Sequence, residues 1–169
     1  MELSIRNKWV SFKGSSVVKD EHENDVLKVK GKFFSIRRRK YVCDLNDNVV
    51  YQVRNRFWNF FRHGAFVFDK DGNKVATIIT KFLSLHDHLN VDSKLGPIVI
   101  RGNILGFDYH ISLNDKEIGH VSRKISLRDS FVLRLDDDQD PLFFVALVIA
   151  LDNITDMKRN EAAAWSSSN

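Results

Sequence analysis

Few residues in this sequence have side chains that could do chemistry, and they form no recognised catalytic motif. His86 and His88 are separated by one residue, and His110 and His120 follow later in the chain. Cys43 is the single cysteine, so it has no partner for an internal disulfide or a zinc site. We expect Cys43 to lie on a strand facing the core, and we expect the chain to occupy a reducing compartment, the cytoplasm.

The spacing of these residues predicts neither a metal site nor a cofactor. A metal site needs three or four converging ligands with supporting partners, which two alternating histidines do not supply. The segment 69–73 resembles the start of a calcium loop, but Thr80 stands where the bidentate glutamate would be, so we interpret it as a hairpin turn. Phosphate-loop, dinucleotide-binding and nucleophile-elbow motifs are also missing. We expect a protein that is not an enzyme.

The positive charge of the sequence is concentrated in its first part. Residues 1–64 hold 14 Lys and Arg against 7 Asp and Glu, whereas residues 65–169 hold 12 against 15. A basic surface suggests an anionic partner, and alternation along the predicted strands places several of these side chains on shared outer faces. The predicted anion-binding or lipid-binding residues are Lys28, Lys30, Lys32, Arg37, Arg38, Arg39, Lys40, Arg54, Arg56 and Arg62. The alternative is an ordinary charged exterior that keeps the protein in solution.

An aromatic segment follows directly on these basic residues. Trp58, Phe60 and Phe61 lie between Arg56 and Arg62. Aromatic rings flanked by arginines are suited to a bilayer interface, so these three are predicted interface residues. The alternative is a bend that folds its rings over the end of the protein as part of the core.

The element that must organise the chain is an apolar stretch near its end, from Pro141 to Leu151. Asp140 is a good N-cap and Pro141 suits the first helical position. A helix that is apolar on every face must be enclosed, and this one is shorter than the 20 or so residues of a membrane span. We therefore predict a buried helix over about residues 141–157 and no transmembrane segment.

The residues before the helix read as about twelve short alternating strands with polar turns. Acidic or Asn-rich turns at 20–25, 44–48 and 69–73 recur at nearly equal spacing, with a further turn at 114–116. A strand of seven residues spans about 23 Å and the helix about 25 Å, so a closed barrel can hold the helix along its axis. We predict a mainly β domain over residues 1–157, a closed antiparallel barrel around a central hydrophobic helix, with a flexible tail over residues 158–169.

At this point the chain resembles the LURP-one-related family, within the Tubby-like and phospholipid scramblase-like group of folds. The resemblance extends from about Ile5 to Ile154, and it is carried by four stretches, at residues 42–51, 68–76, 118–124 and 140–154. It implies the barrel with a central helix. It also implies a link to membranes, because Tubby proteins bind phosphoinositides through basic residues and scramblases are membrane-associated, but no site residue can be matched one by one.

Three functions are compatible with these observations. The leading hypothesis is a non-enzymatic binding module, cytoplasmic or peripheral to a membrane, that engages an anionic lipid surface through its basic residues. The second is a regulatory or structural domain that binds a protein partner and has no lipid affinity. The third, a scramblase-like activity, would require the helix to leave the barrel. Nucleic-acid binding has only the charge in its favour, since no recognised module is present.

Overall fold

The computed structural model describes residues 1–6, 15–31, 39–59, 62–81, 88–123 and 130–166, and within these ranges it contains twelve strands and one helix. The strands are β1 (Glu2–Arg6), β2 (Ser15–Asp20), β3 (Asp25–Gly31), β4 (Lys40–Cys43), β5 (Val49–Asn59), β6 (Arg62–Asp69), β7 (Lys74–Lys81), β8 (His88–Ser93), β9 (Ile98–Asn103), β10 (Asp108–Leu113), β11 (Lys116–Arg123) and β12 (Ser130–Leu135). The helix, α1, is Pro141–Ser166.

The strands form one closed antiparallel barrel. Each strand pairs with its neighbours in sequence, and β1 also pairs with β12, which closes the sheet. Each described strand is thus paired on both sides, which avoids the exposed edge strands of an open meander. The predicted barrel of about twelve strands is confirmed.

The barrel has two different ends. Tight turns join β2 to β3, β4 to β5, β6 to β7, β8 to β9 and β10 to β11, and all of them lie at the end where β12 leads into α1. We call this the hairpin end. The far end is defined by the opposite strand termini, which are Arg6, Ser15, Gly31, Lys40, Asn59, Arg62, Lys81, His88, Asn103, Asp108, Arg123 and Ser130.

Three of the turns are built in the same way. In each, an aspartate carboxylate accepts the backbone N–H of the asparagine four residues later, at 2.8 Å, and the amide of that asparagine donates to the other carboxylate oxygen. The pairs are Asp20 with Asn24, Asp44 with Asn48, and Asp69 with Asn73. Each pair of strands also has a register shift next to the turn. The recurring acidic turns of the sequence are thus copies of one hairpin.

The fourth position of these turns has a positive φ, 62° at Glu23, 69° at Asp47 and 83° at Gly72. Glycine adopts this conformation without the steric cost that the other two bear. The turn between β10 and β11 differs, because Asn114 and Asp115 both have positive φ values, as in a two-residue hairpin.

The helix begins as the sequence predicts. Oδ1 of Asp140 accepts the N–H of Leu142 at 2.9 Å, and its Oδ2 accepts a hydrogen bond of 2.7 Å from the hydroxyl of Tyr51 on β5. Every residue from Phe143 to Thr155 is buried, and the helix backbone lies closest to β5 and β6. The apolar run is therefore the inner part of the core, enclosed by the strands.

The end of the helix differs from the prediction. We expected it to stop near Met157, with a flexible tail over residues 158–169, but α1 continues to Ser166. No glycine or proline interrupts residues 158–166, and Glu161 is followed by three alanines, which have the highest helix propensity. Helix propensity extends the helix beyond the point where its apolar pattern ends.

Candidate anion-binding surface

Lys28 and Lys30 share the outer face of β3, because the intervening Val29 belongs to the core. Both ammonium groups contact the same carboxylate oxygen of Asp47 in the β4–β5 turn, at 2.9 Å for Lys28 and 3.1 Å for Lys30. Hydrogen bonds from Lys28 and then Lys30 lower the pKa of Asp47. These two lysines stabilise the β4–β5 turn, and the carboxylate of Asp47 compensates part of their positive charge.

Lys40, the first residue of β4, is directed into the barrel. Its side chain is 14% exposed, and its ammonium lies 3.3 Å from Oδ2 of Asp152, which is fully buried on α1. Sequence reasoning assigned Lys40 to an outer basic surface and missed Asp152. A buried acid needs a compensating cation nearby. The position of Asp152 directly after the apolar run of an enclosed helix therefore could have indicated the ion pair from the sequence.

The interior around Asp152 is polar, in contrast to the apolar interior around residues 143–151. Asn153 and Thr155 are buried, and the amide of Asn153 donates to Oδ1 of Asn55 on β5 at 3.2 Å. Tyr109 on β10 is also fully buried, and burial followed by the charge of Asp152 raises the pKa of its hydroxyl. The barrel interior thus changes from apolar to polar towards the far end.

Arg54 lies on the outer face of β5 and is held in place by its neighbours. Its Nε donates to Oε1 of Gln52 at 2.8 Å, and its guanidinium carbon lies 4.3 Å from the ring centroid of Phe68 on β6. Phe66 and Phe68 are half-buried on the outer face of β6, since the intervening Val67 is in the core. Sequence reasoning did not single out these two rings, although their alternation with Val67 indicates an outward position.

The remaining predicted residues are described in part or lie outside the described ranges. Arg39 is half-buried just before β4. For three residues the structure defines only the strand position, and these are Arg56 and Trp58 on β5 and Arg62 at the start of β6. Those outside the described residues are Lys32, Arg37, Arg38, Phe60 and Phe61.

Charge is segregated along the barrel axis. The connections at the hairpin end, residues 20–25, 44–48, 69–74, 93–97, 113–117 and 136–140, contain fourteen acidic residues and four basic ones. The basic four are Lys70, Lys74, Lys94 and Lys116. At the far end, the twelve strand termini include one acidic residue, Asp108, and five basic ones, Arg6, Lys40, Arg62, Lys81 and Arg123, of which Lys40 is directed inward onto Asp152.

His88, His110 and His120 lie on the outer wall. His110 on β10 is the register partner of His120 on β11, and their ring centroids are 4.4 Å apart. Each ring contacts a carboxylate at 2.9 Å, Glu117 for His110 and Asp108 for His120. His88 begins β8, and the predicted neighbour His86 lies outside the described residues. In the described part of the chain, no three His, Cys, Asp or Glu side chains are placed to hold a metal ion.

Cys43 is fully buried at the end of β4, next to the core cluster but not part of it. It follows a register shift at the end of β4, and its register partner is Lys28. Burial raises the pKa of its thiol, so the reactive thiolate is disfavoured.

Comparison with known proteins assigns the chain to a family. The family model for LURP-one-related proteins matches residues 1–152. The chain belongs to the LURP-one-related family. No curated protein matches the sequence.

A solved structure supports the fold of this LURP-one-related domain. The crystal structure of an Arabidopsis thaliana protein matches with a TM-score of 0.60 and 20% sequence identity, over 90% of this chain and 91% of that one. At this identity the likeness concerns the fold alone. Within the described ranges, none of the helical segments combines the length and the apolar character that crossing a bilayer requires.

Proposed function

We propose that this LURP-one-related domain is a non-enzymatic binding module that docks on an anionic membrane surface with its far end. The observation that carries the proposal is the segregation of charge between the two ends of the barrel. A molecule with one acidic and one basic end turns its basic end towards a negative surface as it approaches. Docking would thus be end-on, with the hairpin end pointing away from the lipid.

The sequence between the far-end strand termini supports this orientation. Residues 7–14, 32–38, 82–87 and 124–129 contain seven Lys and Arg against two Asp. Phe33 and Phe34 directly follow Lys32, and the predicted interface residues Phe60 and Phe61 connect β5 to β6, with Trp58 near the end of β5. Bases mixed with aromatic residues are typical of segments that bind at a bilayer interface.

The burial of α1 argues against the scramblase-like alternative. The side chains from Phe143 to Leu151 are at most 3% exposed. Moving the helix into a bilayer would empty the core, and large losses of core volume destabilise a fold strongly. The proposed docking leaves α1 in place.

Co-sedimentation with liposomes tests the proposal. We expect binding to vesicles that contain phosphatidylserine, weakening from low to physiological salt, and no binding to phosphatidylcholine vesicles. Replacing Arg37, Arg38 and Arg39 with Gln should weaken binding by about 1 kcal/mol for each charge that lies near the surface.

The matched control removes three positive charges from the hairpin end, in a variant with Lys70, Lys94 and Lys116 replaced by Gln. End-on docking predicts that this control binds as the unmodified protein does. Equal losses in the two variants would contradict the orientation. Absence of vesicle binding at both salt concentrations would contradict the membrane proposal itself, and recovery of one stoichiometric protein partner would then favour a protein-interaction domain.

A further inference from the structure

The outer wall formed by β5, β6 and β7 carries a pair of cations that are held over aromatic rings. Arg54 comes from β5 and Lys74 from β7, and the rings of Phe66 and Phe68 lie between them on β6 with centroids 6.4 Å apart. The guanidinium of Arg54 lies 4.3 Å from the centroid of Phe68, and Nζ of Lys74 lies 5.4 Å from the centroid of Phe66.

The two contacts cross over β6. Arg54 is in register with Phe66 but leans onto Phe68, whereas Lys74 is in register with Phe68 but leans onto Phe66. The two cations therefore approach a pair of neighbouring rings from opposite sides, each lying over one of them. An anion that lies on the rings would be within reach of both side chains.

Arg54 is also oriented before any ligand arrives. Gln52 accepts hydrogen bonds from Nε and Nη2 of Arg54, which uses two of its five N–H groups. The other three, and the ammonium of Lys74, have neither a hydrogen bond nor an ion pair among the residues that the structure describes. A guanidinium fixed by one neighbour and stacked on a ring loses little freedom when it binds an anion.

The described outward side chains of β4 to β7 include no acid. The described outward positions of β4 to β7 are Tyr41, Val50, Gln52, Arg54, Phe66, Phe68, Lys74, Thr77 and Ile79. None of them is acidic, and the adjoining strand β8 contributes one exposed carboxylate, Asp92, in register with Thr77. On the neighbouring wall, in contrast, Lys28 and Lys30 are already occupied by Asp47.

We propose that Arg54 and Lys74 form a phosphate-binding site, with Phe66 and Phe68 as its floor. The fork of Arg54 matches two oxygens of a phosphate group, and Lys74 supplies a second charge from the opposite side. The same chemistry suits a phosphomonoester in solution and the headgroup of a phospholipid. The site does not depend on end-on docking, because it lies on the side wall.

Titration of the intact protein with phenyl phosphate tests the site. Amide shifts in NMR spectra should change in a saturable way along β5, β6 and β7. Replacing both Arg54 and Lys74 with Gln should weaken binding about tenfold or more, since two charge-assisted contacts are lost. Arg54→Lys, which keeps the charge but loses the fork, should also weaken it.

The control variant has Arg101→Gln and Lys116→Gln, and it loses the same two types of charge from β9 and β11. If it weakens phenyl phosphate binding as much as the Arg54 and Lys74 variant does, the site is contradicted, and the two cations serve only to cover the rings. Saturable shifts confined to other strands would contradict it as well.

Vesicles distinguish the source of the phosphate. If the Arg54 and Lys74 variant binds phosphatidic acid vesicles more weakly than the control variant, the site is supported and takes a lipid headgroup. If only phenyl phosphate binding changes, it is supported and takes a soluble phosphate. The far-end variant with Arg37, Arg38 and Arg39 replaced should retain phenyl phosphate binding, so failure of one proposal is separable from failure of the other.

Discussion

At the scale of single residues, the three aspartates of the repeated turns link the stability of the barrel to pH. Hydrogen bonds from Asn24 and Asn48 lower the pKa values of Asp20 and Asp44. At Asp69, burial raises the pKa, but hydrogen bonds led by that of Asn73 outweigh it, so the net pKa is lowered. A carboxylate with a lowered folded-state pKa stabilises the fold above its unfolded pKa, and this contribution is lost as the pH falls through the folded value.

Replacing Asp20, Asp44 and Asp69 together with Asn should therefore lower the free energy of unfolding at pH 7. The difference from the unmodified protein should shrink between about pH 4 and pH 2, where the native carboxylates become protonated. Urea denaturation at pH 7, 4 and 2.5 measures this. A difference of constant size over that range would mean that the turns act through shape and not through charge.

The ion pair of Lys40 and Asp152 differs from the exposed turn carboxylates, because both of its partners lie inside the protein. Lys40→Met removes the ammonium group next to a fully buried carboxylate, and we expect it to lower the free energy of unfolding by about 3 kcal/mol. The double variant with Lys40→Met and Asp152→Asn should be less destabilised, since the buried charge is removed too. Chemical denaturation of both variants gives the comparison, and equal losses would show that the ion pair is not the cause.

Residue-scale expectations from the sequence were correct where alternation decided them. Alternation placed Lys28 and Lys30 on the outer face of β3, as the structure has them. It did not reveal Asp47 as their partner, or that Lys40 is directed inward. Both depend on contacts between segments far apart in sequence, which strand periodicity does not specify.

At the scale of elements, the start of α1 was predictable because it depends on local chemistry. Asp140 and Pro141 fill the first positions as the sequence indicates, and Tyr51 adds a hydrogen bond from β5. The end of α1 was not predictable from the same rules, because propensity carries the helix past the end of its apolar run. The repeated turns were visible in the sequence, whereas their shared geometry, with a positive φ at the fourth position, was not.

Asp140→Ala should lower the free energy of unfolding by about 1 kcal/mol through loss of the N-cap, with a further loss from the hydroxyl of Tyr51. Asp138→Ala is the matched control, since it removes an acid from the same cluster and loses only a hydrogen bond to the adjacent Gln139. Thermal and urea unfolding of the two variants should separate them. Similar stabilities would indicate that charge near the helix start matters and the cap does not.

At the scale of the whole molecule, the barrel was predictable because three facts require it together. The strands are too many for an open meander, the final helix is apolar all round, and the lengths of strand and helix match. The axial segregation of charge was not anticipated, because the sequence shows a basic first part and an acidic second part. Antiparallel pairing divides each part between the two ends, and it collects the acidic turns at one of them.

The enclosure of α1 by strands that all precede it has a consequence for synthesis. Every strand leaves the ribosome before α1, so the inner face of the nascent sheet has no helix to pack against during synthesis. Twelve strands can therefore complete their folding only after the helix has emerged, although domains usually fold as soon as they are made. Pulse proteolysis of stalled nascent chains should show protection appearing in one late step, once residues 141–155 are outside the tunnel. Protection from proteolysis that grows gradually with each hairpin would show that the sheet forms without α1.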